Sequence, residues 1–144
     1  MKLIKFVPAF LATVVLAACS SQPKPEEVLA KADQVGVNKV VAYSCENGND
    51  LKVTYSFVDG QAKTAKILLN DQAIPDTLIR NPKNKDFAAF TALAGGYTFN
   101  ADAALNVENY ATLNPGILFK HAKTDEVQAK GCTVNTQLTE LLNK

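Results

Sequence analysis

From Lys39 onward the chain alternates with a period of two. Val41, Tyr43 and Cys45 fall on one face, and Leu51, Val53, Tyr55 and Phe57 alternate with Lys52, Thr54 and Ser56. Each run therefore predicts a half-buried strand with one wet face. Between them Glu46-Asn47-Gly48-Asn49-Asp50 supplies hairpin chemistry centred on Asn-Gly. Asp59-Gly60 turns the chain back into a third run carrying Ala65, Ile67 and Leu69 on one side. Asn70-Asp71 turns it again, and residues 72–79 predict a fourth strand that Pro75 either breaks or confines to an edge. Residues 87–92 are apolar, Tyr97-Thr98-Phe99 follows Gly95-Gly96, and Leu105 with Val107, then Ala111 with Leu113, predict further short strands. Asn114-Pro115-Gly116 turns into Ile117-Leu118-Phe119, and residues 127–132 return alongside the start.

Seven or eight short strands joined by hairpin-type turns argue for an antiparallel meander that closes into a small barrel or folds as a sandwich. Two helical patterns flank it. Residues 26–34 follow Pro25, carry acids in the first turn and stop at Gly36, with Val28, Leu29 and Ala32 as a thin apolar side. Residues 135–144 place Leu138, Leu141 and Leu142 on one side of a short terminal helix. The expected class is all-β: an up-and-down barrel of about eight strands over residues 38–134, with short helices at both ends.

The first 18 residues do not belong to that fold. Two lysines, an apolar run and Leu16-Ala17-Ala18-Cys19 form a secretory signal, and the run is shorter than the roughly 20 residues of a membrane span. The ending resembles the lipobox of bacterial lipoproteins, in which Cys19 is acylated and opens the mature chain. An ordinary cleavage site that happens to precede a cysteine is the other reading. Ser20 and Ser21 after the cysteine resemble an outer-membrane address, and residues 19–37 are a tether ending in the first helix. Removal of residues 1–18 takes away two lysines and no acid, leaving a net charge of −1. Such a chain has no basic field for nucleic acid. Cys45 and Cys132 then remain as a pair in an oxidising compartment, where a disulfide is expected and two free thiols would be unusual. A disulfide between the first and last strands favours the closed barrel over the sandwich.

Catalytic patterns are scarce. His121 is the only histidine and stands in a polar stretch with Lys120 and Lys123, without a nucleophile elbow or a free cysteine to serve. The acids Asp125-Glu126 read as a solvated turn. No metal-ligand spacing occurs, so no metal or cofactor is expected and the chain reads as a non-enzyme. Two loops remain. The polar run Asn81-Pro82-Lys83-Asn84-Lys85-Asp86 is either a solvated turn or a basic tip that meets an acidic partner. Gly95-Gly96-Tyr97 is either a tight hairpin turn with a core tyrosine or a rigid protruding loop that enters a partner's cleft.

Tyr43-Ser44-Cys45, the Leu51-Lys52-Val53-Thr54-Tyr55 strand, Gly95-Gly96-Tyr97, the stretch from Pro115 to Phe119 and Lys130-Gly131-Cys132 resemble, in order and spacing, the adhesin complex proteins of Gram-negative bacteria. Those are similar in turn to the MliC group, membrane-bound inhibitors of C-type lysozyme. The resemblance covers about residues 38–134 and implies an eight-stranded barrel tied by the disulfide. It also implies inhibition of host C-type lysozyme by a loop that fills a cleft holding two carboxylates, with Gly95, Gly96, Tyr97, Asn100 and Asp102 as the facing set. The chain departs from the MliC pattern, which has a serine before its glycine and then Phe-Trp-x-Lys-Gly. Here no serine precedes the glycines, and Thr98-Phe99-Asn100-Ala101-Asp102 lacks both Trp and Lys. An aspartate facing carboxylates repels, so contact would rest on backbone donors, Asn100 or Tyr97. An adhesin whose ligand is a host cell-surface or matrix component is the alternative on the same barrel.

Overall fold

The alternation of Leu51, Val53, Tyr55 and Phe57 becomes the strand on which the sheet is built. In the computed structural model, which describes residues 24–144, the chain runs α1 (Pro25–Val35), β1 (Val37–Ser44), β2 (Asp50–Val58), β3 (Gln61–Leu69), β4 (Gln72–Ala73) and β5 (Leu78–Arg80). It continues through β6 (Phe87–Ala92), β7 (Tyr97–Asp102), β8 (Leu118–Lys120), β9 (Glu126–Ala129), β10 (Thr133–Val134) and α2 (Thr136–Leu142). The expected signal sequence, the acylated Cys19 and the tether before Lys24 lie outside the described residues. The strands form one antiparallel sheet in the order β10-β1-β2-β3-β5-β6-β7-β8-β9, with β4 paired to β3 alone. It curls into a half-barrel around Tyr43, Tyr55, Phe57, Phe90 and Phe99, all at most 2% exposed.

The two free edges of this ladder, β9 and β10, are consecutive in the chain. Among the described residues no ladder joins β9 to β1; the 130–132 corner spans the gap instead. Gly131 turns there with a φ of 62°, a left-handed value that glycine adopts without a Cβ penalty. β10 then pairs with Tyr43 and Ser44 of β1. The Glu46 N–H donates to the Lys130 carbonyl at 3.0 Å, Asn49 Nδ2 donates to the Gln128 carbonyl at 3.3 Å, and the Cys45–Cys132 disulfide locks the same corner. The expected seam is therefore a bent last strand stapled to the first.

Three local expectations change. The strand expected over 72–79 splits into β4 and β5 around Pro75, with Asp76 left-handed at a φ of 72°. The strands expected at Leu105 with Val107 and at Ala111 with Leu113 do not form. Asn109 Oδ1 accepts the Asn106 N–H at 2.7 Å, and Asn106 Oδ1 accepts the N–H groups of Glu108 and Asn109. Side-chain amides that occupy backbone donors offer the chain turns in place of a ladder. Leu105, Val107, Tyr110 and Leu113 pack on the core from this loop, with the Tyr110 ring 5.9 Å from that of Phe57. Third, the wet face of β2 holds at Lys52 and Thr54 but is buried at Ser56 and Val58, because α1 lies across β2, β3 and β5 with Ala32 inward. α1 stops at Gly36, where a Cβ would collide with the Ala32 carbonyl oxygen.

The terminal helix docks through polar groups. Leu141 is 62% exposed, whereas Thr139 is 1% exposed. Thr139 Oγ1 accepts the Ala42 N–H at 3.0 Å, Asn143 Oδ1 accepts the Val40 N–H at 2.8 Å, and Asn143 Nδ2 donates to the Val40 carbonyl at 2.7 Å. Because β10 covers only the last two residues of β1, these side chains satisfy a strand edge that would otherwise be open to pairing. Asn143→Ala is expected to cost about 1–2 kcal/mol in urea unfolding and to speed amide exchange at Val40. Unchanged protection at Val40 would remove this role.

Candidate functional site

The β6–β7 hairpin carries the glycine pair. Phe90 pairs opposite Phe99 and Thr91 opposite Thr98, so residues 93–96 form its tip. The Gly95 N–H closes the turn onto the Ala92 carbonyl at 2.8 Å, with Gly95 at a φ of 76°. Leu93, at 56% exposed, and Ala94 project into solvent. Tyr97 begins β7 half-buried and packs against the core. The tip is thus both a tight hairpin with an inward tyrosine and an exposed projection.

The five residues carried over from the resemblance do not form one patch. Phe99 and Ala101 face the core, so Thr98, Asn100 and Asp102 point the other way. At about 3.3 Å per residue, Asp102 lies roughly 20 Å along the strand from Gly96. There it sits opposite Phe87 and accepts the Ala104 N–H at 2.8 Å. Asn100 is midway, its backbone bonded to Gly116 and Ile117. Only Gly95, Gly96 and Tyr97 belong to the tip. An extended strand spreads neighbours in sequence over a long line, which is why adjacency in the chain misleads here.

Other residues do reach the tip from β8. Lys120 pairs opposite Tyr97, and the His121 N–H donates to the Gly96 carbonyl at 2.9 Å. His121, solitary in sequence, is the centre of a polar row: Nε2 lies 2.7 Å from Thr98 Oγ1 and Nδ1 lies 2.9 Å from Asp125 Oδ1. Thr91 Oγ1 extends the row at 3.4 Å from Thr98 Oγ1. Hydroxyl, imidazole and carboxylate in this order are the parts of an acyl-transfer relay. The Gly95 and His121 N–H groups are both bonded to carbonyls, of Ala92 and Gly96, so neither is free for a developing oxyanion. The row instead ties β6, β7 and the turn after β8 together at the foot of the tip. Sequence reasoning missed it because Thr98 and His121 are 23 positions apart, and only strand pairing joins them.

Among the described residues, no group of three or more His, Cys, Asp or Glu side chains could hold a metal, and no helix is long and apolar enough to cross a membrane. The model of the ACP-like domain family matches residues 39–134, from the third residue of β1 to the end of β10. This chain belongs to the ACP-like domain family. A protein of Haemophilus influenzae described as uncharacterized is 30% identical to it over 151 aligned residues, covering 99% of each chain. The solved structure of the Adhesin Complex Protein from Neisseria meningitidis shares the fold with a TM-score of 0.53 at 21% identity, over 67% of this chain and 99% of that one. The ACP-like domain therefore spans the half-barrel with its disulfide, while α1 and α2 flank the matched segment.

Proposed function

We propose that this ACP-like domain is a non-enzymatic, surface-associated binding module of the adhesin type, whose ligands are components of host cell surfaces or matrix. The observation that carries the reading is that the likeness to the Adhesin Complex Protein extends over 99% of that chain, so the fold of that whole protein is what the two have in common. The lipobox-like Leu16-Ala17-Ala18-Cys19 supports a lipid-anchored position on the outer membrane, where acylation on more than one chain holds a protein stably. In this reading the tip, exposed at Leu93 and Ala94, is the contact surface. Bacteria expressing the full chain with its leader are expected to adhere to host cells above a leaderless control and to be labelled by antibody when intact. Ala94→Glu, a change at an exposed position, should reduce adhesion severalfold. Adhesion equal to that of the control removes the reading.

A second reading, inhibition of C-type lysozyme, is favoured by one observation. Lys120 stands opposite Tyr97 beside the tip, so a neighbouring strand supplies a cation near the glycines where the sequence of β7 has none. A narrow tip flanked by a cation suits a cleft that holds two carboxylates. Full-length chain in neutral detergent, mixed with C-type lysozyme, should slow peptidoglycan lysis, and Lys120→Glu should abolish the effect. Undiminished lysis at micromolar excess of the chain removes this reading and leaves the first intact.

A further inference from the structure

Arg80, the last residue of β5, lines a cleft of about 670 Å3 between the start of α1, the 81–86 loop and Leu93 of the tip. That volume falls within the roughly 300–1,000 Å3 of small-ligand sites. Lys63 and Lys85 line the same cleft, and no acidic residue does. Arg80 is half-buried, and the ion pairs among the described residues, Lys52 with Asp71, His121 with Asp125 and Lys130 with Glu46, do not include it. Burial pushes its guanidinium pKa down, and no carboxylate offsets that effect. A partly desolvated cation without a counter-charge is unfavourable until an anion arrives.

The chain itself has no evident anion to offer. Glu26, Glu27, Asp86 and Asp102, the acids next in sequence to lining residues, are exposed and outside the lining. Residues 1–24, which lead into α1, contain no Asp or Glu. The amides of the loop are also prepared for an acceptor. Asn81 Oδ1 is taken by the Lys83 N–H at 2.9 Å, and Asn84 Oδ1 by the N–H groups of Asp86 and Phe87 at 3.0 Å. Those bonds fix both carboxamides and leave their Nδ2 donors for oxygen atoms of a ligand. Ile79 and Ala92 supply an apolar floor. Three cations, two oriented amide donors and a small apolar surface match a ring that carries both hydroxyl groups and strong negative charge.

We propose that this cleft binds an anionic saccharide, bearing sulfate or carboxylate groups, with Arg80 as the inner, bidentate contact and Lys63 and Lys85 as outer ones. The identification of the ligand class rests on the adhesin reading, whereas the site itself stands on the cleft's chemistry. The 81–86 loop, for which the sequence left a solvated turn or a basic tip open, is in this view one wall of the site.

The test uses the full chain in neutral detergent and a size-defined heparin oligosaccharide as the sulfated probe, followed by calorimetry at physiological salt. Binding is expected, weakening with added salt. Arg80→Gln should reduce affinity at least about tenfold and Lys85→Gln severalfold, the range for losing charge-assisted hydrogen bonds, while Leu141→Ala on α2 should leave it unchanged. If Arg80→Gln lacks a cooperative melt, Lys85→Gln, at an exposed position, decides. Absent heparin binding, or binding insensitive to both variants, overturns the proposal. Arg80-dependent binding to phosphatidylglycerol vesicles without heparin binding overturns it in favour of a lipid headgroup. Host-cell adhesion that survives Arg80→Gln leaves the adhesin reading standing and overturns the saccharide site as its ligand contact. Arg80-dependent heparin binding by a chain that confers no adhesion does the reverse, keeping the cleft and removing the adhesin reading.

Discussion

Replacing Cys45 and Cys132 together by serine is expected to lower the unfolding free energy by about 2–5 kcal/mol. The bridge spans 87 positions, and chain entropy alone assigns about 4–5 kcal/mol to a loop of that size. Its position adds a second reason. β9 and β10 are the two ends of the ladder, and the corner between them is held to β1 by a two-residue pairing, the Glu46 to Lys130 hydrogen bond and the disulfide. Without the covalent link that corner can open while the β2–β3 pairing survives. Urea unfolding of the full chain should show the global loss, and amide exchange should show protection falling first at Ser44 and Glu46, whose N–H groups face the corner. A loss below about 1 kcal/mol would mean that the staple is redundant with the hydrogen bonds around it.

Tyr55→Phe is expected to cost about 1–3 kcal/mol, more than the loss of one ordinary hydrogen bond, because it leaves the buried Tyr43 hydroxyl without a partner. The two hydroxyls meet at 2.8 Å inside the barrel, where Tyr55 also packs on Phe57 and Phe90 at 5.9 Å. Tyr43→Phe with Tyr55→Phe removes both polar atoms, so the double variant should be less destabilised than the sum of the singles. The pair also has a pH signature. Burial raises both phenol pKa values, and for Tyr55 the charge of Tyr43 adds to the rise. A folded pKa above the unfolded one gives stability that is complete below the unfolded value, near pH 10. It is lost as the pH climbs from there toward the folded values. Alkaline unfolding followed by circular dichroism should therefore begin at higher pH in the double Phe variant. Identical alkaline midpoints would show that the pair does not couple ionisation to folding.

The Asn143 and Thr139 bonds to β1 and the His121 row share a property that explains why sequence reading passed over them. Each is a meeting of polar groups far apart in the chain: Asn143 and Val40 are 103 positions apart and Thr98 and His121 are 23 apart. Polar residues on a strand or a short helix carry no periodic signal of their own, since the wet face and a polar contact have the same composition. Leu138, Leu141 and Leu142 suggested an apolar docking face for the terminal helix, yet an uncovered strand edge demanded hydrogen bonds more than that helix demanded burial. Likewise Leu105 and Leu113 signalled strands, but Asn106 and Asn109 offered the backbone nearer partners.

What was legible along the chain was whatever burial alone dictates. The alternation of Leu51, Val53, Tyr55 and Phe57, the Asn-Gly and Asp-Gly turns and the stop of α1 at Gly36 follow from local rules, in which a side chain's neighbours are a few residues away, and the pairing of Cys45 with Cys132 followed from the cysteine count rather than from spacing. Tertiary structure decided the remainder: that the ladder ends meet through a bent strand, that Lys120 and His121 stand beside the tip, and that Arg80 faces a cleft without a counter-charge. Those outcomes depend on which strands become neighbours across the sheet, and hydrogen-bonded pairing over tens of residues leaves no trace in the spacing of any single segment.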